Sequence, residues 1–322
     1  MFDVITFGSA TLDVILQSPE IKTIKSKEFF SGQAIALPYG AKCEVSNLIM
    51  SSGGGGTNTA VGFSRLGLKT AVVARCGWDF AGKLIRKEMI KEGVDDSLLV
   101  QNENEDTDYS TILLSADGNS TVLVYRGETR LEPTEIPWPK LKAKWFYLAS
   151  LEGNLELLSE IITFAKKQKI RVAINPGRRE IEKKGELLQL IKEVDILIIN
   201  QEEAAKLANL TNFELNLFKK TSLISQGGTV VTCGANGVMF FGQENKFLES
   251  EAFRVEMVDA TGAGDAFGCG FVAGLVKWWE VKDCLKLGAA NGASQVTEIG
   301  AKKGLLYEKN IHNWLNKPLK IS

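Results

Sequence analysis

The sequence predicts an α/β fold: a doubly wound, mostly parallel sheet with helices on both faces, and a small β-sheet standing beside it. Three observations carry that expectation. Short apolar runs alternate with helix-length stretches along most of the 322 residues, the pattern of strand–helix–strand units in a parallel sheet. Two segments, 17–52 and 109–126, break the alternation with mixed polarity and turn residues. Glycine-rich runs follow the ends of several strands, where open α/β sheets hold ligands.

Length and composition bound the answer. A chain of this size buries a large core, and 1–322 is read as a single domain with the small sheet inserted from 17–52 and 109–126. Lys plus Arg (38) nearly balances Asp plus Glu (39), and the net charge is -1. With no long basic tract, neither nucleic acid nor an anionic membrane is an expected partner. The five cysteines show no metal-ligand spacing and read as thiols of a reducing cytoplasm. The single His312 argues against a histidine-based triad. No apolar run is long enough to span a bilayer, and Asp3 interrupts the opening apolar run with no cleavage pattern after it. A cytoplasmic protein is expected.

The elements follow in order. Phe2–Phe7 is a compact apolar strand ending at Gly8. Asp13 comes soon after, where a strand end would present a carboxylate to a site; a solvated turn acid fits equally. From Gln17 to Ser52, Pro19, Gly32, Pro38 and Gly40 interrupt the chain. A structureless loop of that length is rare inside a compact domain, so extended strands with turns are expected. Gly53–Gly56 then precede the apolar run Val61–Leu66. A flexible linker would not run straight into a helix, so these glycines, Gly54 among them, are read as letting backbone approach a ligand. Asn58 either hydrogen-bonds that ligand or caps the helix, and the two roles are compatible.

Thr70–Arg75 reads as a strand and Asp79–Glu92 as a helix. Tyr109–Leu114 and Thr121–Tyr125 flank Ala116-Asp117-Gly118-Asn119, a hairpin signal that completes the small sheet. Alternation resumes with the strand Trp145–Ser150, the helix Leu155–Lys167 and the strand Ile170–Asn175, stopped by Pro176-Gly177. A helix through Ile191, the strands Ile196–Asn200, Thr229–Thr232 and Val238–Phe241, and helices after Gly264, after Val281 and near the C-terminus complete the series.

Val258–Phe271 carries the strongest chemical signal. Gly262, Ala263 and Gly264 lead into Ala266–Val276, a small-residue apolar run that reads as a buried helix. The first N–H groups of a helix lack partners and carry partial positive charge, so they favour an anion. Asp265 in that first turn would repel a phosphate unless a proton acceptor is wanted beside it. Phosphoryl transfer needs that combination: donors for the developing charge and a base for the attacking hydroxyl. An acid that merely complements the helix dipole is the rival explanation.

Three further places are candidates. Asn200-Gln-Glu-Glu203 puts an amide at a strand end and a carboxylate one turn into the next helix, oxygen donors that suit a hydrated Mg²⁺. A helix cap followed by surface acids explains them as well. Thr232-Cys-Gly234-Ala-Asn-Gly237 joins two strands, and its glycines either admit nucleotide phosphates or form a plain hairpin turn. Arg126 ends the second strand of the small sheet. Its guanidinium either reaches an anionic group on a substrate or pairs with an acid such as Glu128.

Taken together these stretches resemble the ribokinase-like (PfkB) family of carbohydrate and nucleoside kinases, over essentially the whole chain. Gly54-Gly-Gly-Thr-Asn58-Thr-Ala with Gly67 and Gly77 is similar to the family's N-terminal motif, and Asp259-Ala-Thr-Gly-Ala-Gly-Asp265 to its C-terminal one. Asn200-x-x-Glu203 resembles its Asn-x-x-Glu motif, and Thr232-x-Gly234-x-x-Gly237 its phosphate loop. The resemblance implies an ATP- and Mg²⁺-dependent kinase acting on a primary hydroxyl, with a nucleoside kinase as rival and a non-catalytic sugar-binding regulator as a third reading. It implies Asp265 as base and the N–H groups of Gly262, Ala263 and Gly264 as anion hole. Asp13, Gly54 and Asn58 would hold the sugar, Thr232, Gly234 and Gly237 the nucleotide, Asn200 and Glu203 the metal–phosphate network, and Ala289–Gly292, Asn291 included, would lie near adenine. It also implies a lid sheet that often mediates a homodimer, and a monovalent cation (K⁺) near Asp259 and Thr261. The family often has a hydroxyl residue where Ala260 stands, and many ribokinases have Lys where Gly55 stands, so strict ribose specificity is not carried over.

Overall fold

The computed structural model describes every residue except 30, 31, 116–119, 128, 220, 222 and 224. Its main sheet has eight strands in the spatial order Phe247–Ser250, Val238–Phe241, Gly228–Thr232, Ile196–Asn200, Arg171–Ile174, Ala143–Leu148, Phe2–Phe7, Thr70–Val73. The six from Gly228–Thr232 to Thr70–Val73 run parallel, and the two strands beyond Gly228–Thr232 are antiparallel. The expected α/β fold is therefore present, with the short edge strand Phe247–Ser250 as an addition the sequence did not announce.

Successive residues of the buried strands feed opposite faces, as the two-residue period of a strand requires. Ile5, Phe7, Phe146 and Leu148 pack with the helix Leu155–Gln168 on one face. Val4, Trp145, Tyr147 and Ile198 pack on the other against Phe267, Phe271 and the helices Ala263–Val276 and Val281–Gln295. After Phe2–Phe7 the chain adds Thr70–Val73 on one side and later Ala143–Leu148 on the other. The strand order reverses there, and a crevice opens beyond the carboxyl ends of strands at such a point.

A second, four-stranded sheet has the order Ser120–Tyr125, Asp108–Leu114, Thr11–Gln17, Asn47–Gly53. It differs from the expected insertion in starting at Thr11. Residues 8–10 carry the chain from the core strand directly into this sheet, so Asp13 lies within a sheet strand, opposite Ser51 and Ser110. The expected hairpin turn at 116–119 lies outside the described residues, although the strands on either side of it pair antiparallel. All six residues of Ser120–Tyr125 are exposed.

The helix Ala263–Val276 is buried almost throughout, which its glycines permit. A Cβ at Gly270 would stand 2.7 Å from the Leu287 carbonyl oxygen, and one at Gly274 2.7 Å from Cys284 Sγ. At Gly268 it would overlap the hydroxyl of the fully buried Tyr147. We expect Gly268→Ala to cost about 1–3 kcal/mol by overpacking. Tyr147→Phe in the same chain should recover most of that loss, because it removes the atom struck. Denaturant unfolding of the two single variants and the double variant measures the coupling; strictly additive effects would contradict it.

Candidate functional site

Asp265 stands in the first turn of Ala263–Val276, at the mouth of the crevice. Gly262 starts that helix in a left-handed conformation (φ 75°), and a Cβ there would fall 2.6 Å from the Ala301 carbonyl oxygen. Only glycine meets both conditions without strain. Among the described residues the N–H groups of Gly262, Gly264 and Asp265 have no protein acceptor, whereas Ala263 N–H donates to the Ala260 carbonyl at 3.2 Å. The turn that starts the helix thus takes the Ala263 N–H, and the donors open to an anion are those on either side of it.

The Asp265 carboxylate faces Asn58, which sits in the first turn of the helix Gly55–Arg65 rather than at its cap. Asn58 Nδ2 donates to Asp265 Oδ2 at 2.9 Å, across 207 positions of sequence. The other oxygen, Oδ1, lies toward Gly55: a Cβ there would be 3.8 Å from it and 2.7 Å from Ala149 Cβ. Burial raises the Asp265 pKa to about 6, against the lowering effects of the Asn58 hydrogen bond and the Lys302 charge. A carboxyl with that pKa is charged at neutral pH yet accepts a proton readily, as a general base must.

Around Asp265 a cleft of about 350 Å³ is bounded by the Gly262–Gly264 turn, Gly55, Ala149–Ser150, Asn175–Gly177, Asn200 and Glu203. One buried acid, Glu180, holds the wall: it accepts hydrogen bonds from Ser150 Oγ (2.9 Å), Leu151 N (2.7 Å), Gly153 N (2.8 Å) and Gly177 N (2.9 Å). Thr232, Ala260, Ala263 and Gly264 are shared with a second, more apolar hollow of about 440 Å³ that continues past Gly234 and Gly237. Phe253, Val255, Met257 and Phe267 line it. Gly234 (φ 58°) and Gly237 (φ 96°) turn the chain between the two antiparallel strands at its rim.

Asn200 and Glu203 cap a helix reciprocally: Asn200 Oδ1 accepts from Glu203 N and Glu203 Oε2 from Asn200 N, both at 2.9 Å. This is the rival explanation weighed for them, yet both residues also face the cleft. Glu203 Oε1 has no protein partner among the described residues, and burial raises the Glu203 pKa. No cluster of three acidic, His or Cys groups exists among the described residues. The donor set fits a hydrated Mg²⁺ that arrives with a phosphate, and does not form a protein cage. Asp259 accepts from Thr261 N and Oγ1 through Oδ1 and from Gly300 N through Oδ2. Its carboxylate closes a turn, so the K⁺ expectation rests on resemblance alone.

Asp13 comes from the second sheet and lines neither hollow, although the Lys302 charge acts on both it and Asp265. Its side chain lies against Gly53, where a Cβ would overlap the carboxylate, and accepts from Thr11 Oγ1 at 3.0 Å. Burial raises its pKa, opposed by the Thr11 hydrogen bond and the Lys302 charge. Gly54 (φ 87°) starts the Gly55–Arg65 helix packed on Ser9.

Two further expected residues are not brought into the cleft. Asn291 is fully buried; its Nδ2 donates to the Ala266 carbonyl (2.6 Å) and its Oδ1 accepts from Leu306 N (2.8 Å). Its neighbours Ala289, Gly292 and Ala293 face the hollow instead, being on the other side of the helix. Arg126 Nη1 pairs with Asp108 and Glu152, each at 2.9 Å, so the guanidinium is held by the protein's own carboxylates through that nitrogen; Glu128 lies outside the described residues. One buried residue near the site had no signal in the sequence. Lys302, in Gly300-Ala-Lys-Lys-Gly304, reads as half of a surface basic pair, and the structure puts it beneath Asn58.

The chain has relatives along nearly its whole length. The family model described as "pfkB family carbohydrate kinase" matches residues 1–306. A ribokinase from Haemophilus influenzae is 28% identical over 308 residues, 92% of this chain and 93% of that protein. A nucleoside kinase from Methanocaldococcus jannaschii is 25% identical over 79% of this chain and 82% of its own length. The structure of Arabidopsis thaliana ribokinase complexed with ribose and ATP superposes with a TM-score of 0.79 at 22% identity, covering 98% of this chain and 99% of that one.

Gly262→Ala and Gly264→Ala should separate sharply. The first places a side chain in left-handed backbone against Ala301 and should cost about 1–3 kcal/mol. The second adds a Cβ with nothing within 4 Å, and should be neutral or stabilise by up to about 1 kcal/mol. Thermal unfolding of both variants measures this; equal effects would contradict the local geometry.

Proposed function

The chain belongs to the pfkB family of carbohydrate kinases, and on that footing we propose that it transfers the γ-phosphoryl group of ATP to a primary hydroxyl of a small neutral sugar or sugar-like alcohol. The observation that carries this is Asp265: a base with a pKa of about 6, set among N–H groups that have no protein acceptor. In the reaction the acceptor oxygen forms a bond to the γ-phosphorus, the bond to the bridging oxygen of ADP breaks, and the hydroxyl proton passes to Asp265 Oδ1. The N–H groups of Gly262, Gly264 and Asp265 stabilise charge on the transferring group.

The nucleotide is assigned to the apolar hollow, with Gly234, Gly237 and Thr232 at its phosphates. Mg²⁺, when bound, neutralises phosphate charge; Glu203 Oε1 and Asn200 are the oxygen donors for its hydration shell. Asp13 and Asn58 flank the acceptor. A neutral acceptor is favoured because Lys302, whose charge acts on Asp13, is paired with Glu88, and Arg126 is paired with Asp108 and Glu152. An anion would meet the Asp13 carboxylate, a like charge. A nucleoside is the second reading, supported by the similarity to the archaeal nucleoside kinase, since its ribose offers the same kind of neutral hydroxyls.

The second sheet is assigned as a lid and as a homodimer interface. Leu48, Met50, Val122, Leu123, Val124 and Tyr125 are each between 47% and 59% exposed on it. An uncovered apolar edge strand invites pairing with another copy. Sedimentation at micromolar concentration should give a dimer that Val122→Glu or Val124→Lys dissociates; a monomeric parent would contradict this.

For the chemistry, Asp265→Asn should lower kcat by about a hundredfold or more, since a positioned base contributes that much, while KM for the acceptor is nearly kept. In the parent, kcat/KM should fall as pH drops through about 6, because protonated Asp265 accepts nothing from the hydroxyl. An asparagine variant at near-parental rate would overturn the role of Asp265.

A further inference from the structure

Lys302 is 5% exposed, in a segment pinned on every side. Gln295 Nε2 donates to the Gly300 carbonyl, and Gln295 Oε1 accepts from Gly304 N at 3.1 Å. Gly300 N donates to Asp259, and Arg65 Nη1 to the carbonyl of Lys302 itself at 2.6 Å. From that anchored backbone Nζ reaches the Ser52 carbonyl, Ser52 Oγ (2.9 Å), Asn58 Oδ1 (3.3 Å) and Glu88 Oε1 (3.5 Å). Glu88 Oε2 in turn accepts from Ser52 N at 2.6 Å. The ammonium therefore has protein acceptors for all its donors and offers none to a ligand. Burial lowers its pKa, while Glu88 and Asp13 favour the charged form and Arg65 opposes it.

Its effect on the site follows from what each group is able to do. An ammonium only donates, and an ionised carboxylate only accepts. Asn58 lies between one of each and has two ends. With Lys302 on one side, only the carboxamide oxygen can face it, which leaves the NH₂ for Asp265. A flipped amide would set its NH₂ against the ammonium and its oxygen against the Asp265 carboxylate, losing both bonds and adding two repulsions. Lys302 thus selects the orientation in which Asn58 holds Asp265 Oδ2 and leaves Oδ1 on the cleft side.

We propose that Lys302 is a positioning residue of the transfer site, fixing the Asn58 carboxamide so that Asp265 is held in one orientation, and tying the lid strand at Ser52 to the same point. The proposal rests on the reading of Asp265 as the base. The other titratable groups that face Asp265 are Tyr147, from the strand beneath, and Cys269, on its own helix. Burial raises both of their pKa values well above the ordinary range, so both are neutral where Asp265 titrates.

The test is the titration of the Asp265 carboxyl, followed by carbon NMR on aspartate-labelled protein and assigned with Asp265→Asn. It requires no turnover. In Lys302→Met, which keeps length and removes every donor, the midpoint should rise from about 6 by roughly one pH unit. In Asn58→Leu it should rise comparably, and in the double variant by clearly less than the sum of the two single shifts, since part of the Lys302 effect acts through Asn58 and part is its direct charge. Kinetically, Lys302→Met should lower kcat about tenfold while KM for ATP is kept, as expected of a misplaced base. Lys302→Leu, which likewise removes every donor, is read in the same way if the methionine variant does not fold. An unmoved midpoint, or fully additive shifts, would overturn the proposal. A parent that titrates as described but phosphorylates no acceptor would defeat the kinase reading and leave the network standing.

Discussion

The hydrogen bond between Asn58 and Asp265 is the contact on which the rest of the site depends. Two helix starts meet there, one from near the N-terminus and one from near the C-terminus, and each brings what the other lacks. The Ala263–Val276 helix supplies a carboxylate and N–H groups without a protein acceptor, but no means of aiming the carboxylate. The Gly55–Arg65 helix supplies the aiming donor. An acid among anion-binding N–H groups is tolerable only if it is neutral part of the time or held by donors, and here both conditions apply. Burial draws its pKa up to about 6 while Asn58 and Lys302 hold it from rising further.

Close approach of those helices is a matter of missing side chains. Gly62 lies against Cys269, Gly55 against Ala149 and Gly262 against Ala301, each at a distance where a Cβ would not fit. Replacing surface burial by backbone contact forfeits some hydrophobic stabilisation, which the surrounding aromatic residues offset: Phe63, Tyr147, Phe267 and Phe271 fill the space around the glycine-rich helix. A rigid wall results, and a wall that does not yield is what positions a base to within the tolerance phosphoryl transfer needs.

Much of the fold was legible because it repeats. Strand–helix alternation carries its period openly, and Ile196–Asn200 and Val238–Phe241 appear at the expected bounds. Asp265, Gly262 and Gly264 were legible for a different reason: glycines before an acid at the start of an apolar helix form an unusual local combination. What stayed hidden was decided by long-range packing. Asn291 falls on the side of its helix that meets Leu306 N, and Arg126 finds its partners in Asp108 and Glu152, neither adjacent to it. Lys302 is the clearest case. A Lys-Lys pair beside glycines reads as surface until the fold shows Ser52, Asn58 and Glu88 waiting for one of them.

The activity proposed for this cleft is transfer of a phosphoryl group from ATP onto a neutral hydroxyl. The most direct measurement is to incubate the purified protein with γ-labelled ATP, Mg²⁺ and a panel of neutral sugars, nucleosides and anionic sugars, and to find where the label goes. The proposed activity predicts label in the monophosphate of a neutral acceptor, in amounts equal to the ADP formed. Label recovered as free phosphate whatever acceptor is added, or only in an anionic sugar, would contradict it.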